Sequence, residues 1–127
     1  IESLSRGASK VVFCENYLPA FQILKKNLSL LNCKNNIEVF NETVFNFIDN
    51  LNKNKSKYDI IFIDPPYKES KIEELLSQLS KKRILSGSSL IILHRNKKTK
   101  DKFPTDFNIL FERTYGLSKI YFGKFSL

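Results

Sequence analysis

Four consecutive residues, Asp64-Pro65-Pro66-Tyr67, combine a carboxylate, two prolines and an aromatic ring. They follow a short apolar run at positions 60–63, rich in β-branched residues, which predicts a strand buried on both faces of a parallel sheet. The prolines end that strand, because neither can donate to a ladder and each fixes its own φ. Ligands bind at the carboxyl edge of open α/β sheets. We therefore predict a ligand-binding loop here, rather than a plain proline turn with Asp64 as a cap.

These residue types suit the methylation of an exocyclic amino group. Such a nitrogen is a poor nucleophile, because its lone pair is delocalised into the base ring. The Asp64 carboxylate and the Pro65 carbonyl would accept from its two N–H groups and favour a pyramidal nitrogen, while Tyr67 would stack on the base. Catalysis would then rest on positioning and electrostatics, without a strong general base. The predicted catalytic residues are Asp64, Pro65, Pro66 and Tyr67.

Three further segments accompany the DPPY motif: Ser5-Arg6-Gly7-Ala8, Glu15 after the first predicted strand, and residues 112–116 with the sequence ERTYG. Together they resemble the bacterial 16S ribosomal RNA guanine-N2 methyltransferases, the RsmD family, over essentially all 127 residues. The resemblance implies an α/β fold, a Rossmann-like class I methyltransferase sheet that is mostly parallel with an antiparallel C-terminal hairpin. It also implies S-adenosyl-L-methionine as cofactor, and 16S rRNA or the small ribosomal subunit as partner of a cytoplasmic monomer.

The same resemblance implies that Glu15, Thr43 and Asp64 are the cofactor-binding residues. Glu15 would accept from both ribose hydroxyls, and Thr43 stands where relatives usually carry Asp or Asn to read the adenine amine. Judged from the residues alone, Glu15 can also be an exposed strand-end acid, and Thr43 is equally well explained as a helix cap.

A glycine-rich loop that precedes the SRGA segment holds the methionine end of the cofactor in this family, and no G-x-G occurs in this chain. We therefore expect a single, incomplete methyltransferase domain over residues 1–127 that lacks its N-terminal portion and is inactive in isolation. In the methyltransferase fold the absent strand lies at the centre of the sheet. The strands at 11–14 and 60–63 should then not pair, and each should leave an unpaired edge.

Strands alternate with helices along the chain, and a hairpin follows, which is typical of a doubly wound sheet with an antiparallel edge. The predicted strands lie at 11–14, 37–40, 60–63 and 90–93, and the predicted helices carry apolar stripes at 21–31, 44–51 and 72–79. A helix is predicted to end at Leu4–Arg6, with Gly7 as its stop. Residues 107–111 and 119–125 alternate around Tyr115-Gly116 and predict the hairpin.

Composition adds weaker constraints. Apolar residues make up 42% of the chain, enough for a core, and no stretch approaches the roughly 20 apolar residues of a membrane span. The net charge of +8 is compatible with a phosphate-rich partner, although only four of the 21 basic residues are Arg, the residue that favours planar recognition. Cys14 and Cys33 are expected to be reduced thiols, and no metal site is expected.

Two polar groups stay ambiguous. His94, the one histidine, has no evident carboxylate partner in the sequence and is more easily explained as structural than as catalytic. Arg95 and the lysines at 97–102 form a solvated basic run by default, and could contact RNA phosphates if they lie beside the active-site edge.

Other enzymes carry the same loop, and two of them stay open as alternatives: DNA adenine-N6 and protein glutamine-N5 methyltransferases. Asp rather than Asn at position 64 argues against the glutamine enzyme. The lack of a separate DNA-recognition domain in this sequence argues against the adenine enzyme. A third alternative belongs to another class, a non-catalytic RNA-binding remnant.

Overall fold

The structure is a computed structural model that describes residues 1–32, 34–51 and 57–126. The chain divides into two compact units, Ile1–Leu51 and Asn52–Leu127, which are described separately below. The organisation of residues 1–127 as one domain stays a prediction. Cys33 lies outside the described residues.

The first unit contains two parallel strands and three helices. Its elements are α1 (Glu2–Ser5), β1 (Val11–Cys14), α2 (Leu18–Ser29), a 3-10 turn (Lys34–Asn36), β2 (Ile37–Phe40) and α3 (Val44–Asn50). Gly7 has φ +98 and ends α1 as predicted, since this backbone conformation favours glycine. Pro19 lies in the first turn of α2, where its missing N–H is harmless. The two strands run in register, with Cys14 opposite Phe40.

In its described residues, 57–126, the second unit contains a mixed four-stranded sheet and one helix. Its elements are β3 (Tyr58–Ile63), α4 (Ile72–Lys81), β4 (Leu85–Asn96), β5 (Phe107–Tyr115) and β6 (Ser118–Phe125), and the strand order is β3-β4-β6-β5. The β3–β4 pair is parallel, and the other two pairs are antiparallel. Gly116, with φ +57, turns β5 into β6 and confirms the predicted hairpin.

The core of the second unit lies between α4 and one face of the sheet. The stripe predicted on α4 is buried in full, and it consists of Ile72, Leu75, Leu76 and Leu79. On β4 every second residue from Ser89 to Arg95 is buried, as expected for a strand with one covered face. Gly123 of β6 belongs to this core, where an added Cβ would collide with the ring of Phe107.

The prediction that β3 is buried on both faces is wrong. Ile60 is 53% exposed and Phe62 is 64% exposed, whereas Ile61 and Ile63 on the other face are half-buried. Side chains alternate between the two faces of a strand, and α4 covers only one of them in this unit. An unbroken apolar run shows how apolar a strand is, but it does not show how many faces are covered.

The strand pairing agrees with the expectation for the sheet edges. Among the described strands, β1 has a ladder with β2 only, and β3 has a ladder with β4 only. No helix in the described residues combines the length and the apolar content that crossing a bilayer requires.

Candidate active site

The DPPY loop begins where β3 ends, at the carboxyl edge of the β3–β4 pair. The Asp64 side chain is 77% exposed. The Pro66 carbonyl accepts from the Glu69 N–H at 2.9 Å, which closes a tight turn with Tyr67 at its second position. Tyr67 is 63% exposed, so its ring is accessible to a planar ligand. The local geometry thus presents a carboxylate and an aromatic ring within four residues.

His94 joins this loop, which the sequence interpretation missed. Its Nδ1 lies 2.8 Å from Oδ1 of Asp64, and its Nε2 lies 2.9 Å from Oγ of Ser118. The contact with Asp64 follows from register, because Ile63 stands opposite Leu93 in parallel strands and the next residues are Asp64 and His94. The carboxylate that His94 appeared to lack is therefore the aspartate of the DPPY motif. The signal available in the sequence was that both residues end adjacent strands.

Arg95 contacts the loop from the opposite face of β4, and the expectation that it is solvated is wrong. It is 2% exposed, and its Nε and Nη2 donate to the two carboxylate oxygens of Asp101, each at 2.9 Å. Its Nη1 donates to the Pro66 carbonyl at 3.2 Å and its Nη2 to the Glu69 carbonyl at 2.8 Å. Such a guanidinium is not free for RNA phosphates. It fixes the loop that carries Tyr67.

The two prolines of the loop differ in what their carbonyls do. The Pro66 carbonyl is occupied by Glu69 and Arg95. No donor to the Pro65 carbonyl occurs among the described residues. Pro65 thus retains the free acceptor that the proposed chemistry assigns to it, whereas Pro66 serves the turn.

A recess of about 460 Å³ opens beside Tyr67 in the second unit. Its lining comes from the loop, from the start of α4 and from the segment after β4, and includes Tyr67, Glu69, Glu73, Arg95, Lys100 and Lys102. The lysine side chains are exposed, in contrast to Arg95. Two members of the predicted basic run therefore lie next to the aromatic ring of the loop.

The first unit carries the two remaining predicted residues. Glu15 follows β1 and is half-buried, and one carboxylate oxygen accepts from the Tyr17 N–H at 2.8 Å. Thr43 is the cap of α3, because its Oγ1 accepts from the Asn46 N–H at 3.2 Å. Asn41, which also precedes α3, donates from its side-chain amide to the Glu15 carbonyl at 2.9 Å.

These contacts are compatible with the predicted nucleoside site. Glu15 follows β1, and the segment with Thr43 follows β2. Because the two strands are parallel, both lie at the same edge of the sheet. A carboxylate there is the usual acceptor for ribose hydroxyls. Only Oε1 of Glu15 has a donor among the described residues, so Oε2 can accept. A hydroxyl has two lone pairs and one proton, so Thr43 retains hydrogen-bonding capacity beyond its cap.

Cys14, at the end of β1, is a free thiol. Burial raises its pKa to about 11, and the nearby carboxylates of Glu42 and Glu15 add to the shift. Its Sγ donates to the Glu42 carbonyl at 3.3 Å. The thiol is therefore protonated and unreactive at neutral pH.

A family model described as "Conserved hypothetical protein 95" matches residues 1–124. The chain is 32% identical over 117 residues to ribosomal RNA small subunit methyltransferase D of Haemophilus influenzae, covering 91% of this chain and 60% of that protein. It is also 32% identical over 110 residues to a protein of the same name from Buchnera aphidicola, covering 86% of this chain and 56% of the relative. The chain thus spans about 60% of the length of the curated relatives it matches.

Solved structures agree with the fold. A Haemophilus influenzae protein superposes with a TM-score of 0.82 at 31% identity, covering 96% of this chain and 76% of the other. An rRNA methylase from Escherichia coli superposes with a TM-score of 0.62 over 98% of this chain and 52% of the other, and at 14% identity it shares the fold alone. The predicted α/β, Rossmann-like methyltransferase fold is confirmed.

Proposed function

This chain belongs to the family described as Conserved hypothetical protein 95, the RsmD family, and from that premise we propose its function. The protein is an S-adenosylmethionine-dependent methyltransferase that modifies the exocyclic N2 amine of a guanine in 16S ribosomal RNA. The observation that carries the proposal is the DPPY loop, which presents an exposed carboxylate and an exposed aromatic ring at the carboxyl edge of β3 and β4.

Asp64 and Pro65 act on the target amine. Oδ1 of Asp64 is bonded to His94, so Oδ2 is the oxygen that accepts one amine N–H. The free carbonyl of Pro65 accepts the other. Together they hold the nitrogen pyramidal, with its lone pair directed away from both acceptors. Such preorganised acceptors stabilise the positive charge that develops on the nitrogen, at no cost of reorganisation during the reaction.

Tyr67 holds the base by stacking. Its ring is exposed on a turn that is closed by the Pro66 carbonyl and anchored by Arg95. A guanine in a structured RNA must leave its stack before its amine can reach the loop, and an aromatic face compensates for part of that cost. Lys100 and Lys102 would contact phosphates beside the flipped base.

Glu15 and Thr43 would hold the ribose and the adenine of the cofactor. When bound, S-adenosylmethionine supplies the electrophilic methyl group. The amine then loses a proton to solvent, because a methylated ammonium is acidic, and no side chain of the loop has to act as a strong base.

The test is a chimera in which these 127 residues replace the matching segment of the Haemophilus influenzae relative. With labelled S-adenosylmethionine and 16S rRNA, the chimera should transfer the label, and digestion should yield N2-methylguanosine. Small-subunit particles should be offered beside naked RNA, since either can be the substrate. Label in adenine, in a protein glutamine or in no product would contradict the proposal. The same assay on the 127 residues alone tests whether they are inactive in isolation, as the sequence predicts.

A further inference from the structure

Three strands contribute to one hydrogen-bonded chain of side chains at the carboxyl edge of β3 and β4. Asp64 follows β3, His94 lies near the end of β4, and Ser118 opens β6. His94 stands opposite Ile120 in the antiparallel β4–β6 pair, and Ser118 is two residues from Ile120 on the same face. The three side chains therefore share a face of the sheet, the one that α4 does not cover.

The protons of this chain can be assigned from donor and acceptor chemistry. An ionised aspartate only accepts, so the 2.8 Å contact with Asp64 requires a proton on Nδ1 of His94. In the neutral ring Nε2 then carries the lone pair, and the Ser118 hydroxyl must donate to it across 2.9 Å. Asp64 thus selects the tautomer in which His94 donates from Nδ1, and the Ser118 hydroxyl, which can donate or accept, matches it.

We propose that His94 is a positioning residue, which orients the Asp64 carboxylate for the substrate amine; this role rests on the proposed function. The Asp64 side chain is 77% exposed, and His94 is the one partner it has among the described residues. Without that bond the exposed carboxylate would populate several rotamers. With Oδ1 fixed, Oδ2 is presented in one direction, toward the charge that develops on the substrate amine.

The connectivity is that of a serine hydrolase triad, but the exposure is reversed. In a hydrolase the serine meets the substrate and the aspartate is buried behind the histidine. Here the aspartate is exposed, the His94 side chain is 31% exposed, and Ser118 is half-buried. The end of the chain that a substrate can reach is the carboxylate, so the arrangement orients Asp64 and does not activate Ser118.

The test uses the 127-residue chain, in which His94 is the one histidine and gives the only imidazole signals in an NMR spectrum. At a pH where the ring is neutral, the ¹⁵N shifts should report the Nδ1–H tautomer. Asp64→Ala should restore the Nε2–H form that dominates in free histidine. It should also speed exchange of the ring N–H by about tenfold or more, since hydrogen bonds to charged groups are worth that factor. Asp59→Ala, an exposed aspartate on the same strand, should change neither.

A matched pair of variants tests the positioning itself. In His94→Asn the side-chain amide lies near the Nδ1 position, so it can still donate a hydrogen bond to Asp64. In His94→Gln the amide lies near the Nε2 position, so only the hydrogen bond with Ser118 is retained. Three-bond couplings of Asp64 should report a single χ1 rotamer in the wild type and in His94→Asn, and averaged rotamers in His94→Gln. Equal couplings in all three proteins, or an Nε2–H tautomer in the wild type, would overturn the inference. Neither measurement uses cofactor or RNA, so a failed methyl-transfer assay would leave its result unchanged.

Discussion

The residues at the DPPY loop divide into those that we propose to meet a ligand and those that hold the loop. Asp64 and Tyr67 are exposed, whereas Arg95 is buried and His94 largely so. The first pair was predictable, because a carboxylate and a ring beside two prolines after an apolar strand suggest a ligand site on local grounds. The second pair was not, because each contact joins residues about thirty positions apart. Only the register of β3 against β4 brings them together.

At Tyr67 we expect that the ring matters for activity and the hydroxyl does not. In the chimera, Tyr67→Ala should lower kcat/KM for RNA by about tenfold or more, since stacking of a base on an aromatic ring is worth about 1–3 kcal/mol. Tyr67→Phe should retain most activity. The check is steady-state methyl transfer with both variants at several RNA concentrations, and equal defects would exclude stacking as the main role of this residue.

The Cys14 thiol should be alkylated slowly below its raised pKa of about 11. In a Cys33→Ser background, iodoacetamide at pH 9 should react about tenfold or more slowly than with a free cysteine of pKa about 8.5, and the rate should rise up to about pH 11. Glu42→Gln should speed the reaction, because it removes one negative charge near the thiolate. A rate that levels off near pH 9 would contradict the assignment.

The same shift predicts a dependence of stability on pH. The folded chain holds the Cys14 proton more tightly than the unfolded chain between the ordinary cysteine pKa and about 11. The unfolded state therefore binds fewer protons in that window, and the stability that Cys14 contributes is present below it and is lost as pH rises through it.

At the scale of elements, local periodicity determined most of what the sequence could predict. The stripe on α4 and the strands β1 and β2 occur where the residue pattern places them, since each signal is contained within one segment. β3 shows the limit: its four apolar residues form the predicted strand, but burial depends on what covers each face, which no local pattern encodes. Thr43 shows a second limit, because a helix cap and a nucleoside contact call for the same hydroxyl.

The end of β4 is predicted to be a source of stability for the loop. Arg95→Lys should destabilise the chain by about 2–5 kcal/mol, because an ammonium cannot replace the fork that binds Asp101 and two carbonyls, and breaking a buried pair is costly. Arg95→Leu with Asp101→Leu should cost less than Arg95→Leu alone, since no buried charge is then left unpaired. Urea unfolding checks both, with the exposed Lys97→Ala as a control that should stay within about 0.5 kcal/mol.

An Arg95→Lys variant as stable as the control would mean that the fork does not hold the loop. In that case Tyr67 would have to be positioned by its own turn alone, through the bond from Glu69 to the Pro66 carbonyl.

At the scale of the whole molecule, the net charge of +8 becomes informative only when the positions of the charged residues in the fold are known. Lys100 and Lys102 line the recess beside Tyr67, whereas Lys81 and Lys124 lie at the opposite edge of the sheet, at the end of α4 and near the end of β6. Composition alone could not distinguish these lysines, because it counts charges without assigning them to an edge.

A comparison of the two lysine pairs tests whether RNA uses the active-site edge. Lys100→Ala with Lys102→Ala should reduce the salt dependence of RNA affinity by a slope of about 1–2, as each lost phosphate contact removes somewhat less than one released counterion. Lys81→Ala with Lys124→Ala removes the same charge and should leave the slope nearly unchanged. Binding isotherms over a range of salt concentrations would measure the slope for each double variant. Equal slopes in the two double variants would indicate non-specific attraction of RNA.

The central claim is that Asp64 of this chain contacts the target amine in the transition state, and its most direct test is the single-turnover methyl-transfer rate of Asp64→Ala in the chimera. Losing one preorganised transition-state partner typically costs about 3 kcal/mol, or a rate lower by about 10² or more. Affinity for S-adenosylmethionine should stay within a few-fold. Asp59→Ala, on the same strand, should react at the wild-type rate. A wild-type rate in Asp64→Ala would contradict the contact between Asp64 and the amine, and the role assigned to the DPPY loop would have to be abandoned.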